Sequence, residues 1–489
     1  MKKQPYLTDF PLHIFGLIQR KKQAAIRVAR EKITRDSLSG YAVLFEHILG
    51  SDFLSKIDQT KRQRSYGNIP IFWAWLAQIL DQNASCSKAQ AMLQSWYQSA
   101  GLPVPTGGTG SYCKGRARLN TTFLEEVFEK VSKELIRLEH DQDRWNGMTL
   151  KAIDGSSVQL LDTKSNQDTY PQPSSQKHGC GFPVMGMMGL VNLSHGGWEG
   201  METSIWSEHD AAVAPKLLHC IKENDLIMAD RAFSSYEYIA RITTERKAHV
   251  LMRLHQARHR KLDWRAGKKI GPNQRLVTWT KPKEQPSKSE LSKKQWQALP
   301  KEMTMRLIKV GYQDRCGKKR TLVVVTDLLD PNKHDGMELT ELYARRWEIE
   351  EKLRDVKTTM GMELFSVKSP DMAHKTMLMM MIAYNLIRCL MQSAARDAEV
   401  PVRQLSFKGA LDLITSSYDH FKSMAKTQKK RAQYRIKIIR IIATKLLNIR
   451  LYRNEPRAVK RRPKSYQLLT KSRHVFEQIA HKASYRNLA

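Results

Sequence analysis

Near residue 148 the spacing of apolar side chains switches from a helical period to a strand-like one. Upstream, residues 1–145 read as mostly helical, with basic runs such as QRKKQAAIRVAREK and IDQTKRQRS. A Gly-rich break, PTGGTGSYCKGRARLN, interrupts them at 105–120 and reads as a solvated loop, although its Lys114, Arg116 and Arg118 also suit a DNA backbone. Downstream, MTLKAIDGSSVQLLD reads as a strand ending in a turn at Asp154-Gly155. Two further β-like segments in GFPVMGMMGLVNLSHGGWEGMETSIW meet at His195-Gly196-Gly197, a hairpin signal. A helix over AAVAPKLLHCI and a buried strand in DLIMADRAFSS follow. Strands joined by hairpins and then alternating with helices predict an α/β chain built on a mixed sheet. Between 248 and 335 AHVLMRL, QRLVTWT, MTMRLIKVGY and KRTLVVVTDLL read as strands separated by Lys- and Pro-rich loops. The expected division is a helical, basic region over 1–145, a first part of an α/β core over 146–247 and a β-rich insertion over 248–335. The last helix of the core then occupies 336–368, and 369–489 is helical and basic.

The stretch ELYARRWEIEEKLRDVK, residues 341–357, predicts one helix. At 100° per residue Tyr343, Arg346, Glu350 and Lys357 fall in an arc of roughly 60°. Leu342, Ile349, Leu353, Val356 and Met360 form a separate stripe with the spacing of a buried face. A helix that packs along one side and shows a carboxylate among cations on another is ordinarily a solvated face with i,i+4 ion pairs. Two more carboxylates change that reading. Asp154 and Asp230 each follow a short apolar strand, LKAI and LIMA, which places them at strand tips where a loop leaves room for a ligand. Three carboxylates converging from two strands and a helix can hold two hard divalent cations about 3.5–4 Å apart. Asp327 after TLVVVT has the same local look as the two aspartates. Glu348, Glu351 and Glu363 compete with Glu350, but Glu350 alone lies on the strip with Tyr343, Arg346 and Lys357.

Charge supplies the partner class. Lys and Arg number 82 against 48 Asp and Glu, a formal +34 that draws phosphate backbones in from solution. An acidic membrane surface competes poorly, because no segment confines its basic residues to one face of an amphipathic helix. The start, MKKQPYLTDFPLHIF, lacks a continuous apolar run, and MLMMMIAYNLI at 377–387 is too short to span a bilayer, so it predicts a core helix. The cysteines at 86, 113, 180, 220, 316 and 389 show no zinc spacing, and a reducing compartment is expected.

Together these residues resemble the DDE transposases of bacterial insertion sequences, specifically the group with a Tyr-x2-Arg-x3-Glu-x6-Lys signature (the insertion-sequence-4 type). Tyr343, Arg346, Glu350 and Lys357 match every position of that spacing, and Asp154 in AIDGS and Asp230 in MADRAF match the two aspartates. The long gap before Glu350 resembles the place of the family's β-rich insertion, and EPRAVKRRPKSY extends the likeness to about residue 475. The resemblance implies an RNase H-like catalytic core and Mg2+-dependent cleavage and strand transfer at transposon ends. It makes Asp154, Asp230 and Glu350 ligands of two Mg2+ ions, with Mn2+ able to substitute, and Tyr343, Arg346 and Lys357 contacts to phosphates of the transposon end. It further implies double-stranded DNA partners (inverted-repeat ends and target), a homodimer on DNA, no membrane, and a bacterial cytoplasmic location. Family members stack a flipped base on an aromatic residue of the insertion; Trp264, Trp279 and Trp296 are candidates, each also readable as interior. His178, His195, His209 and His219 read as loop or core residues, and Trp206 and Trp347 as core. A catalytically inactive DNA-binding relative and another RNase H-like metal-dependent nuclease stand as the alternatives.

Overall fold

The computed structural model describes residues 23, 40–59, 66–81, 84–99, 103–105, 107–287, 289–313, 318–418, 427–447 and 468–477. The basic run at 19–32 apart from Gln23, residues 60–65 of the second basic run and the EPRAVKRRPKSY segment lie outside the described residues. The chain divides into two compact units, Met1–Glu134 with Leu378–Glu399 and Leu405–Leu446, and Leu135–Met377 with Val400–Gln404 and Leu447–Ala489.

The first unit is helical. Asn68–Leu80 and Cys86–Ser99 pack with Thr109–Arg118, so most of the expected Gly-rich loop is in fact helix. At Gly115 the helix packs closely on Ile71, where a Cβ would come within 2.6 Å of Cδ1 and force the isoleucine to shift. Arg116 is committed to that packing, its guanidinium 5.3 Å from the Trp75 ring and 3.3 Å from Gln78 Oε1. The apolar 377–387 run lies in the helix Pro370–Asp397, whose most apolar window is 94% buried inside the protein.

The second unit is built on one sheet in the order β3-β2-β1-β4-β5-β9-β8-β7-β6, with β10 pairing β1 separately. Strands β1 (Thr149–Leu160), β2 (Val184–Asn192) and β3 (Gly197–Ile205) form an antiparallel meander. Gly196, at φ +68°, makes the β2–β3 turn in the conformation that glycine tolerates best. Strands β4 (Asp225–Ala229) and β5 (His249–Arg253) add in parallel, and their apolar middles are buried, as parallel strands covered on both faces must be. Antiparallel β6 (Lys268–Gly271), β7 (Gln274–Thr280), β8 (Glu302–Gln313) and β9 (Lys319–Thr326) continue the sheet, because β9 pairs β5 through Leu251, Met252 and Arg253. One core runs across this seam and contains Ile153, Ile227, Val250, Met305 and Val325. Trp279 and Trp296 are buried in it and Trp264 packs against it. Strand β10 (Leu364–Phe365) closes the far end of β1 in parallel.

Two anchors fix the return from β9 to the helical run that follows. Asp327 accepts from Val250 N–H at 2.8 Å and pairs with His249 Nδ1 at 2.8 Å, so this strand-end aspartate is spent on β5. The carboxylate raises the His249 pKa. A raised folded-state value means that the pair's contribution is fully present below pH about 6.5 and is lost as pH climbs through the raised value. With His249 one-third exposed, the loss should be below about 1 kcal/mol. Urea unfolding at pH 6 and pH 9 should show it, and His249→Gln should flatten the difference. The second anchor is Arg306, fully buried, which donates to the carbonyls of Leu328 (3.2 Å), Asp330 (3.4 Å) and His334 (2.7 Å). Asp335 then caps the helix Gly336–Ala344 by accepting from Met337 and Glu338 N–H.

Candidate active site

The edge of β1 is open over a short stretch. β4 pairs it only as far as Ala152, and β10 rejoins it only at Gln159. Asp154 lies in that gap. It is not at a strand tip as the sequence suggests, because Gly155, Ser156 and Ser157 stay paired with Met188, Met187 and Gly186 of β2 and carry the strand on to Leu160. Asp230 does sit just past its strand, capping the turn Arg231–Phe233 by accepting from Ala232 N–H at 2.6 Å. The helix Glu348–Arg354 packs against β1. The expected single helix over 341–357 is a chain of turns instead, with a 3-10 turn at Arg345–Trp347 and a π turn at Asp355–Thr359 on either side of it. The tight and the wide turn depart from a 100° step, yet the four strip residues all reach the β1–β4 region.

Arg346 is the hinge of the cluster. Its Nη1 lies 3.7 Å from Asp154 Oδ2 and its Nη2 donates to Glu350 Oε1 at 3.3 Å. The side chain is buried and its Nε has no acceptor. The Tyr343 hydroxyl donates to the Ala229 carbonyl at 3.2 Å, tying the helix to the residue before Asp230. Burial pushes that phenol up to about 12, so it stays protonated. Lys357 Nζ donates to Ser156 Oγ at 3.1 Å, two residues along β1 from Asp154. Of the competing carboxylates, Glu348 pairs with Arg345 at 2.8 Å and Glu363 accepts from Thr358 Oγ1 at 3.4 Å. Glu350 alone among them shares Arg346 with Asp154.

The electrostatics mark a common field. Burial pushes Asp154 up to about 6, and the Asp230 and Glu350 charges push the same way, against the Gly155 N–H and Arg346. Like charges that feel one another beside a buried strand call for a cation. Hard oxygen donors alone suit Mg2+ or Mn2+, so the donor set fits such an ion by its chemistry. The fit is of donor type rather than of a finished cage: among the described residues no three His, Cys, Asp or Glu side chains stand close enough to enclose a metal. A fourth carboxylate, Asp210, joins the cluster from the opposite side. A Cβ on Gly155 would fall 2.6 Å from its Oδ1, and Asp230 helps burial to raise its pKa. In SEHDAAV nothing separates Asp210 from an ordinary helix start, and Ser156 is equally silent in the sequence.

Trp206 and Trp347 correct their expected core placement. They are 51% and 61% exposed; Trp206 follows the end of β3, an edge strand of the sheet, and Trp347 closes the 3-10 turn Arg345–Trp347. His195 is buried, whereas His178, His209 and His219 are exposed.

Residues 145–386 match the family described as "Transposase DDE domain". A relative among curated proteins, "Transposase InsG for insertion sequence element IS4" of Escherichia coli (strain K12), is 26% identical over 310 residues. That match covers 62% of this chain and 65% of the relative, so the chain spans less than two thirds of its length. A solved piggyBac transposase synaptic complex with hairpin DNA covers 83% of this chain and 86% of its own at 10% identity. Its TM-score is 0.43, too low to bear on the fold or the site.

Proposed function

We propose that the chain is a DDE transposase of the IS4 type, with its catalytic domain in the matched residues 145–386, and that it cuts and rejoins DNA at the ends of an insertion sequence. The observation that supports the reading is that Asp154 lies at an open strand edge, feels the charges of Asp230 and Glu350, and shares Arg346 with Glu350. In this reading the strands of the second unit form an RNase H-like core. Asp154, Asp230 and Glu350 are the ligands of two Mg2+ ions. When bound, such ions lower the pKa of the attacking water or 3′-hydroxyl and neutralise the leaving oxygen of a phosphodiester. Arg346, with an unsatisfied buried Nε, and Lys357, beside Ser156, hold the phosphates of the transposon end in line with the carboxylates. Tyr343 keeps its proton and fixes the distance between the helix and the Asp230 loop.

The partners in this proposal are the terminal inverted repeats and target DNA, engaged by a homodimer in the bacterial cytoplasm. Cleavage of end-labelled DNA carrying the element's own repeats, with Mg2+, tests it. Nicking at the repeat boundary followed by joining of the 3′ end to a second DNA is the expected outcome. Hydrolysis with no joined product would instead favour a plain metal-dependent nuclease. Binding should also weaken by about 10³-fold or more between 50 and 200 mM salt, as for a protein making six or more phosphate contacts.

A further inference from the structure

Three residues before Asp154 on β1, Lys151 anchors a buried polar and charged cluster that takes one residue from each of the first four strands. Lys151 on β1 is 1% exposed, with Nζ 2.5 Å from Glu199 Oε2 on β3 and 2.7 Å from Asp225 Oδ2 on β4. The same ammonium donates to the Cys220 carbonyl at 3.1 Å. Asn192 on β2 donates to Glu199 Oε1 at 2.9 Å, and His195 Nε2 lies 3.7 Å from the same oxygen. All of these side chains are buried.

Glu199 reaches the lysine by a local irregularity. β2 and β3 pair Leu190 with Gly200 and then Val191 with Trp198, so Glu199 is an extra residue on β3, a bulge. Bulges re-aim side chains. Here the bulge brings a carboxylate onto a lysine that would otherwise share only Asp225.

The strands that carry the two aspartates need such a device. LKAI and LIMA are apolar on both faces apart from Lys151, so no in-out alternation distinguishes one β1–β4 register from the next. A slip of one residue would move Asp230 by about 3.3 Å relative to Asp154, far outside the tolerance of a two-ion site. It would also separate Lys151 from Asp225 and leave buried charges unpaired, which makes the slipped sheet costly.

We propose that the Lys151–Glu199–Asp225 cluster is a register lock, and that Lys151 is a positioning residue that sets the spacing of Asp154 and Asp230. The catalytic consequence rests on the transposase reading above; the lock itself does not. Lys151→Met alone would leave two carboxylates buried without a counter-charge, so the informative variant of the full chain is Lys151→Met/Glu199→Gln/Asp225→Asn. It removes every charge of the cluster at nearly constant volume. Its melting temperature should stay near that of the parent, since neutral replacement of a buried ion cluster is often tolerated.

Amide hydrogen exchange in peptides covering 149–160 and 225–230 should become at least about tenfold faster, as alternative registers open the β1–β4 ladder. Mn2+ should bind at least about tenfold more weakly in calorimetry while end-DNA binding is kept, a split that a purely structural role would not produce. Unchanged exchange would overturn the lock. Faster exchange with unchanged Mn2+ affinity would overturn the positioning role. If the triple variant fails to fold, Glu199→Gln, which keeps the Lys151–Asp225 pair, should show the faster exchange in 149–160, and its absence would count against the lock equally. A parent chain that neither binds Mn2+ nor cuts DNA would sink the transposase reading and leave the exchange result to decide the lock alone.

Discussion

Replacing Glu350 by Gln should lower single-turnover cleavage of end DNA by roughly 10³-fold or more while leaving end binding intact. A change in the shell behind a metal ligand commonly costs 10–100-fold, and removal of a ligand charge should exceed that. The variant is a clean probe for structural reasons. Glu350 is 43% exposed, accepts a hydrogen bond from Arg346, and is replaced by a side chain of the same length. Its loss should therefore change stability by no more than about 0.5 kcal/mol, the range of a surface ion pair. Gel-shift binding and cleavage measured on one preparation separate the two effects. Equal cutting by parent and variant would reduce Glu350 to an ion-pair partner of Arg346. A loss of both binding and cutting would point to a collapsed Arg346 rather than to a missing metal ligand.

What the sequence made legible was placement that follows a local pattern. Asp230 follows four apolar residues and begins a turn, and that is where it sits. Glu350 could be separated from its acidic neighbours because the strip with Tyr343, Arg346 and Lys357 is a property of spacing. Asp154 was placed wrongly along its strand, since Gly155, Ser156 and Ser157 read as a turn until the pairing with Met188, Met187 and Gly186 is known. That pairing is a long-range fact with no local trace. The same holds for the charged residues that the sheet buries. Lys151 and Arg306 each look like ordinary solvent-facing positions in a strand, and their partners come from segments 22 to 74 residues away. Trp206 and Trp347 depart from expectation for the opposite reason: bulk argues for burial, but Trp206 follows the end of an edge strand and Trp347 closes a 3-10 turn. Asp210 joins these carboxylates through its approach to Gly155 and the charge of Asp230, which no reading along the chain could anticipate.

Arg306→Met should destabilise the second unit by about 3 kcal/mol or more, although the residue touches none of the carboxylates. Its guanidinium is completely buried and serves three carbonyls, those of Leu328, Asp330 and His334, together with Gln274 Oε1 at 3.1 Å. Methionine fills much of the volume but donates nothing, so several acceptors would be left without partners away from water. The expected sign in a thermal melt is a lower transition, with the loss also visible as faster hydrogen exchange over residues 328–344. The functional effect follows from position. The loop that Arg306 holds delivers Asp335 and Gly336 to the start of the helix that leads to Tyr343, Arg346 and Glu350. Gly336 packs closely on Gln274, the same side chain that Arg306 holds, and a Cβ there would lie 2.5 Å from its amide. Cleavage should fall even at temperatures where the variant is folded, because a loose helix no longer holds Glu350 and Arg346 against Asp154. Arg306→Lys should recover only part of both losses, since one ammonium can reach one or two of the carbonyls but cannot reproduce the planar fork. Full recovery by lysine would show that charge, and not the geometry of the fork, is what the loop needs.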